Sequence, residues 1–156
     1  MGIISRLFGL KNENIGDTTR DFVDKEKVLK IAIYKEAEEF LESNGKVHNE
    51  DLGLVASNLL ACCFNQDLKT LKTPMREDTV LAWTSEFFES NPEVMNMVVV
   101  YLRTASVIHF AHTKDVYIDP DSLTGKLLMQ FGEKVPAIGG YNSFTDQFDM
   151  FMKTRW

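Results

Sequence analysis

Hydrophobic residues recur at helical spacing along most of this chain. Over residues 19–44 the apolar positions repeat at steps of seven, four and three, which places them on one face of a helix. The helix is expected to begin near Thr18, because Asp21 three residues later completes an acidic variant of the capping box. Asn44-Gly45 should end it, since glycine readily takes the left-handed conformation after a last helical turn.

Two segments are apolar almost all round and are expected to form the centre of the fold. They cover residues 49–63 and 92–112. The second contains the run Val98–Tyr101, whose residue types are typical of strands, but an apolar pattern of nearly twenty residues favours a helix. Arg103 lies inside it, and a charge at the centre of a membrane span costs about 2.5 to 3.5 kcal/mol. We therefore expect a buried core helix rather than a membrane span.

Three shorter helices complete the pattern. One is expected to open at Thr73-Pro74, because proline fits the first helical position. A second should run to Phe131 from a cap at Ser122 or Asp121, and the last should begin at Ser143. The alternating residues 115–119 could form a short extended segment between them.

The predicted fold class is all-α, a single compact bundle of five to six helices with a central apolar helix pair. The helical domain is expected over residues 19–156, preceded by an amphipathic segment and polar linker over residues 1–18. A length of 156 residues suits one domain. With 44% hydrophobic and 26% charged residues, the composition is that of a soluble globular domain and does not indicate disorder.

The charge balance and the absence of catalytic motifs narrow the range of possible functions. Seventeen basic and 23 acidic residues give a net charge of −6, which argues against nucleic-acid binding. The sequence contains neither a phosphate-binding glycine loop nor a nucleophile elbow, so it identifies no cofactor and no small-molecule substrate and gives no reason to infer an enzyme. The adjacent Cys62 and Cys63 are expected to be buried thiols, kept reduced in a cytoplasmic location.

Two histidines form the one candidate metal site. His109 and His112 are three residues apart on a predicted helix and share a face with Asp115. Two imidazoles and a carboxylate could hold zinc or iron, which would make the protein a metal-dependent helical-bundle enzyme. The Glu-x-x-His motif of such bundles is absent, so this hypothesis is an alternative.

Apolar residues are concentrated in the last predicted helix. Phe148, Phe151 and Met152 share one face, while Met150 points nearly the opposite way and Trp156 ends the sequence. Aromatic residues and methionine are enriched at protein interfaces. These five residues are the predicted surface for a protein partner or for a homodimer.

A second apolar stripe lies at the start of the chain. Ile3, Ile4, Leu7 and Phe8 follow helical spacing within residues 3–11. This stripe predicts a membrane-surface anchor, or docking on the rest of the chain. The leading hypothesis is a small acidic cytosolic protein-binding module without catalytic activity, acting as an adaptor, inhibitor or immunity-type partner; a peripheral membrane protein is the alternative.

Overall fold

A computed structural model describes residues 15–45, 47–137 and 140–155 of the chain. This part of the protein contains six α-helices and no β-strand, which confirms the predicted all-α bundle. Short 3-10 turns at Asn49–Asp51, Leu68–Thr70 and Gly132–Lys134 lie between them. The helices, numbered in chain order, are α1 (Ile15–Asn44), α2 (Leu52–Cys63), α3 (Glu77–Ser90), α4 (Pro92–Thr113), α5 (Leu123–Phe131) and α6 (Tyr141–Lys153).

One continuous hydrophobic core joins all six helices; α4 contributes eleven buried residues to the interior, and seven of the twelve residues of α2 are buried. Leu59 on α2 and Val98 and Leu102 on α4 are fully buried. The two helices nevertheless pack most closely on other neighbours, α2 on α1 and α4 on α6. The buried face of α1, which includes Leu29, Ile33 and Leu41, is available to the shorter α2.

The ends of α1 agree only in part with the prediction. Gly45 has a positive φ of 61°, so the predicted glycine stop is confirmed. The start lies at Ile15, three residues before Thr18, so residues that we expected in a linker belong to the helix. The amphipathic stripe over residues 3–11 lies outside the described residues.

Proline does not open α3, which is a correction to the sequence prediction. The helix begins at Glu77, and residues 73–75 are held against α2 instead. The buried amide of Asn58 donates to the Thr73 carbonyl at 3.2 Å and accepts from the Met75 backbone nitrogen at 2.9 Å. These bonds satisfy the buried amide and prevent residues 73–75 from joining the helix.

The helix starts at Pro92 and Ser122 are both confirmed. The Ser122 hydroxyl accepts a hydrogen bond from the Gly125 backbone nitrogen at 3.0 Å, as an N-cap should. Residues 115–119 form a loop and not a strand. By length and composition α4 could cross a membrane, but 61% of its most apolar window is buried inside the fold, and core helices pass the same test.

Candidate functional site

The C-terminal helix places its aromatic residues in the core. Phe148 and Phe151 on α6 are buried and pack in the core, which corrects the expectation that they form an exposed face; Phe148 also lies at the base of a groove described below. Met152 is half-buried, and Met150 points outward with 71% of its side chain exposed. Trp156 lies outside the described residues, so its role stays a prediction.

An arginine near the end of the chain explains why Phe151 is covered. The Arg155 guanidinium lies 3.8 Å from the centre of the Phe151 ring, close enough for a cation–π contact. The same group pairs with Glu36 of α1 and, at 3.2 Å, with Glu93 of α4. Arg155 therefore fastens the end of α6 to two other helices, and sequence periodicity gave no sign of this.

The start of α6 is tied to α1 by a second polar contact. The Tyr141 hydroxyl donates to the Asp21 carboxylate, which also accepts from Lys25 at 2.7 and 2.8 Å. Burial alone would raise the pKa of Asp21, but the hydrogen bonds from Lys25 and Tyr141 lower it overall. Tyr141, at the start of α6, contacts Asp21, and Arg155, just after the end of α6, pairs with Glu36 farther along α1. The helix α6 therefore lies beside α1 and runs in the same direction.

The structure does not bring the candidate metal ligands together. The His109 ring lies 5.1 Å from the Tyr117 ring, and the His112 Nε2 lies 3.4 Å from the Thr19 hydroxyl. Asp115 is exposed in the loop after α4. Within the described ranges no group of three or more His, Cys, Asp or Glu side chains could hold a metal ion. Shared helical spacing is therefore insufficient here, because each imidazole faces a different neighbour.

The two cysteines are free and fully buried in α2. Burial raises the pKa of Cys62 to about 12 and also raises that of Cys63. A thiol needs to ionise to act as a nucleophile or as a metal ligand. Neither cysteine can do so near neutral pH in the folded protein, so the prediction that both are buried thiols is confirmed.

The buried polar groups of the described residues are bonded internally. The Tyr101 hydroxyl, for example, donates to Glu26 at 2.5 Å, and the Thr124 hydroxyl donates to the Cys62 carbonyl at 2.6 Å. Every buried side-chain nitrogen or oxygen in this part of the chain has a hydrogen-bond partner. Within residues 15–45, 47–137 and 140–155, the hydrogen-bonding capacity of the buried polar side chains is therefore satisfied by the protein itself.

A shallow apolar groove lies between α1 and α6, and we call it the α1–α6 groove. Its volume is about 540 Å³. Val28 and Ile31 contribute exposed apolar surface from α1, and Met152 contributes from α6 above the buried Phe148. The remaining residues of its wall are charged: Asp24, Lys25 and Asp149.

A second apolar groove lies between the C-terminal half of α4, the loop after it, and α5; we call it the α4–α5 groove. Its volume is about 400 Å³. Phe110, Val116 and Met129 line it and are 47%, 74% and 77% exposed, respectively. Tyr117, Ile118 and Leu128 form its partly buried floor.

Sequence reasoning missed the α4–α5 groove. Phe110, Val116 and Met129 belong to three different elements, so no periodic pattern within one helix connects them. The available signal was the two apolar residues in the loop, Val116 and Ile118, which a purely connecting loop does not need. Only the packing of α5 against α4 places Met129 beside them.

Comparison with known proteins does not assign this chain to a family. No protein-family model matches the sequence, and neither the curated proteins nor the solved structures yield a significant match. Functional inference therefore depends on the geometry and chemistry described above.

Proposed function

We propose that the protein is a small acidic cytosolic protein-binding module without catalytic activity, and that the α4–α5 groove is its docking surface. One observation carries this proposal. Phe110, Val116 and Met129 expose large apolar side chains at one place on the surface. Single exposed apolar residues are ordinary, but a cluster of them in a groove is typical of interaction sites.

The charges beside the groove specify the chemistry of the partner. The loop over residues 114–122 carries three aspartates, Asp115, Asp119 and Asp121, and one lysine, Lys114. All three aspartates are exposed. The whole chain also carries a net charge of −6. We therefore expect the partner to present apolar side chains flanked by lysine or arginine, because opposite charges accelerate and orient association.

Two further features support a binding role over catalysis and a cytosolic location. The buried polar side-chain atoms of the described residues all have hydrogen-bond partners, many of them backbone groups such as the Val80 and Val100 carbonyls. The two cysteines are free thiols rather than a disulfide, which is typical of proteins in a compartment that keeps cysteines reduced.

The proposal is tested by placing charges in the groove. Val116→Lys combined with Met129→Lys should fold normally, since both side chains are mostly exposed, but should lose capture of partners from a lysate of the native host. Met150→Lys is the matched control, because it also replaces an exposed methionine with lysine but lies on α6, outside the groove. Partners recovered by wild type and control, but not by the groove variant, would support the proposal.

Two other results would contradict it. If Met150→Lys alone abolishes capture, the partner binds the outer face of α6, as the sequence predicts. If both variants capture the same proteins as wild type, neither surface is the docking site. Sedimentation of all three proteins shows whether the partner is a second copy, since a dimer through the groove dissociates in the groove variant only.

A further inference from the structure

The α1–α6 groove is a second apolar surface, separate from the proposed docking surface. Ile31 is 60% exposed on α1, and Val28 beside it is exposed as well. Both lie one or two helical turns after Asp24 on the same face of α1. The lining residues run from Asp24 to Ile31 on α1, which is about two helical turns or about 10 Å, so the groove matches a helix of two to three turns in length.

We infer that residues 3–11 of this same chain dock in the α1–α6 groove as a helix antiparallel to α1. The occupant follows from what precedes α1. The stripe of Ile3, Ile4, Leu7 and Phe8 is apolar at helical spacing, and only residues 12–14 separate the segment from Ile15. This inference concerns a different groove from the proposed function, and neither depends on the other.

The lengths agree. Ile31 lies 16 residues after Ile15, which is about 24 Å along α1 at about 1.5 Å per helical residue. Residues 12–14, if extended, cover about 10 Å in the opposite direction along the outside of α1. A helix from residue 11 back to Ile3 adds about 12 Å. The total of about 22 Å brings Ile3 and Ile4 beside Ile31.

The charges of the segment and of the groove are also complementary. Residues 1–11 contain Arg6 and Lys11 and no acidic residue. The groove carries Asp24 and Asp149, and neither has an ion-pair partner within the described residues. Lys25, the basic residue of the wall, already binds Asp21. A basic amphipathic helix therefore complements both the apolar floor and the acidic walls of the groove.

Disulfide crosslinking in the full-length protein tests this arrangement. The pair Ile4→Cys with Ile31→Cys should form a disulfide within one chain under oxidised glutathione. The control pair, Ile4→Cys with Met129→Cys, places the second thiol in the other groove at a similarly exposed site. The native Cys62 and Cys63 do not compete, because they are buried and protonated.

We expect the first pair to crosslink at least about tenfold faster than the control pair, as a docked segment has a much higher local concentration at its groove than elsewhere. Peptide mapping identifies the bond, and non-reducing electrophoresis separates monomers from dimers. Equal rates for the two pairs would overturn the inference. So would a crosslink found only between chains, which would show that a second copy fills the groove.

Charge and lipid controls complete the test. Asp149→Lys should slow crosslinking of the first pair several-fold. Glu42→Lys makes the same charge change near the far end of α1 and should not slow it. Equal slowing by both variants contradicts the proposed placement. Flotation with phosphatidylglycerol vesicles tests a membrane as the competing occupant. Wild-type protein that stays with the unbound fraction supports docking. Flotation that depends on residues 1–11 overturns it.

Discussion

Replacing Gly125 with alanine tests whether α5 is placed correctly, because helix propensity and the tertiary structure predict opposite signs. Gly125 lies in the first turn of α5 and has helical backbone geometry. In a helix interior, glycine costs about 0.5 to 1 kcal/mol relative to alanine, so local reasoning predicts that the variant is more stable. In the folded protein, a Cβ atom at this position would lie 2.3 Å from the Asp119 carbonyl oxygen and 2.8 Å from that of Pro120.

The atoms in the way belong to the backbone and cannot rotate aside. The Asp119 carbonyl also accepts two hydrogen bonds from Ser122, one from the backbone nitrogen at 3.0 Å and one from the hydroxyl at 2.6 Å. Relieving the clash moves this oxygen by most of an ångström and weakens both bonds, each worth about 1 kcal/mol. Overpacking of this kind costs about 1 to 3 kcal/mol. With the gain in propensity subtracted, we expect Gly125→Ala to lower the free energy of unfolding by about 2 to 4 kcal/mol.

Urea unfolding followed by circular dichroism measures this difference, and Gly132→Ala provides the matched control. Gly132 follows the last residue of α5, has φ of −58°, and has open space where its Cβ would be. Alanine there should be neutral or stabilise by up to about 1 kcal/mol. If Gly125→Ala is as stable as wild type, the loop over Asp119 and Pro120 does not pass over α5 as described, and the steric argument fails.

Three further predictions concern the core, the α1–α6 contact and the thiols. Leu59→Ala should lower the free energy of unfolding by about 2 to 5 kcal/mol in urea titrations, because Leu59 is fully buried; a loss below about half a kilocalorie would place it outside the core. Tyr141→Phe removes a hydrogen bond that helps to lower the pKa of Asp21 below its unfolded value, so its cost of about 1 kcal/mol should be present above about pH 4 and shrink as the pH falls below that value. Unfolding titrations at about pH 7 and about pH 3 check this, and an equal cost at both would refute it. Cys62 and Cys63 should not react with a thiol reagent at about pH 8 until urea unfolds the protein, since burial raises the pKa of both; rapid labelling of the native protein would contradict their placement.

The sequence by itself determined the features that depend on neighbours a few residues away. The stop at Gly45, the start at Pro92 and the cap at Ser122 each follow from local backbone chemistry, and the structure confirms all three. The outward direction of Met150 follows from helical geometry in the same way. Periodicity predicts these features because it records which side of a single helix is apolar.

Only the tertiary structure decided what lies opposite each apolar face. Phe148 and Phe151 could have faced a partner or the core; in the fold they are buried, and α6 is fastened by Tyr141 to Asp21 and by Arg155 to Glu36 and Glu93. Similarly, the buried amide of Asn58 overrode the helix signal of Pro74 by bonding to the backbone on either side of it.

The two grooves show most clearly that local sequence does not predict which elements become neighbours. Val28 and Ile31 belong to a helix whose other face fills the core, and their neighbours across the α1–α6 groove lie more than a hundred residues away along the chain. Met129 lies beside Val116 only because α5 packs against α4. Distances between elements depend on which of many compatible packings has the lowest free energy. Local spacing carries no record of that competition, so surfaces built from several elements become visible only in the folded chain.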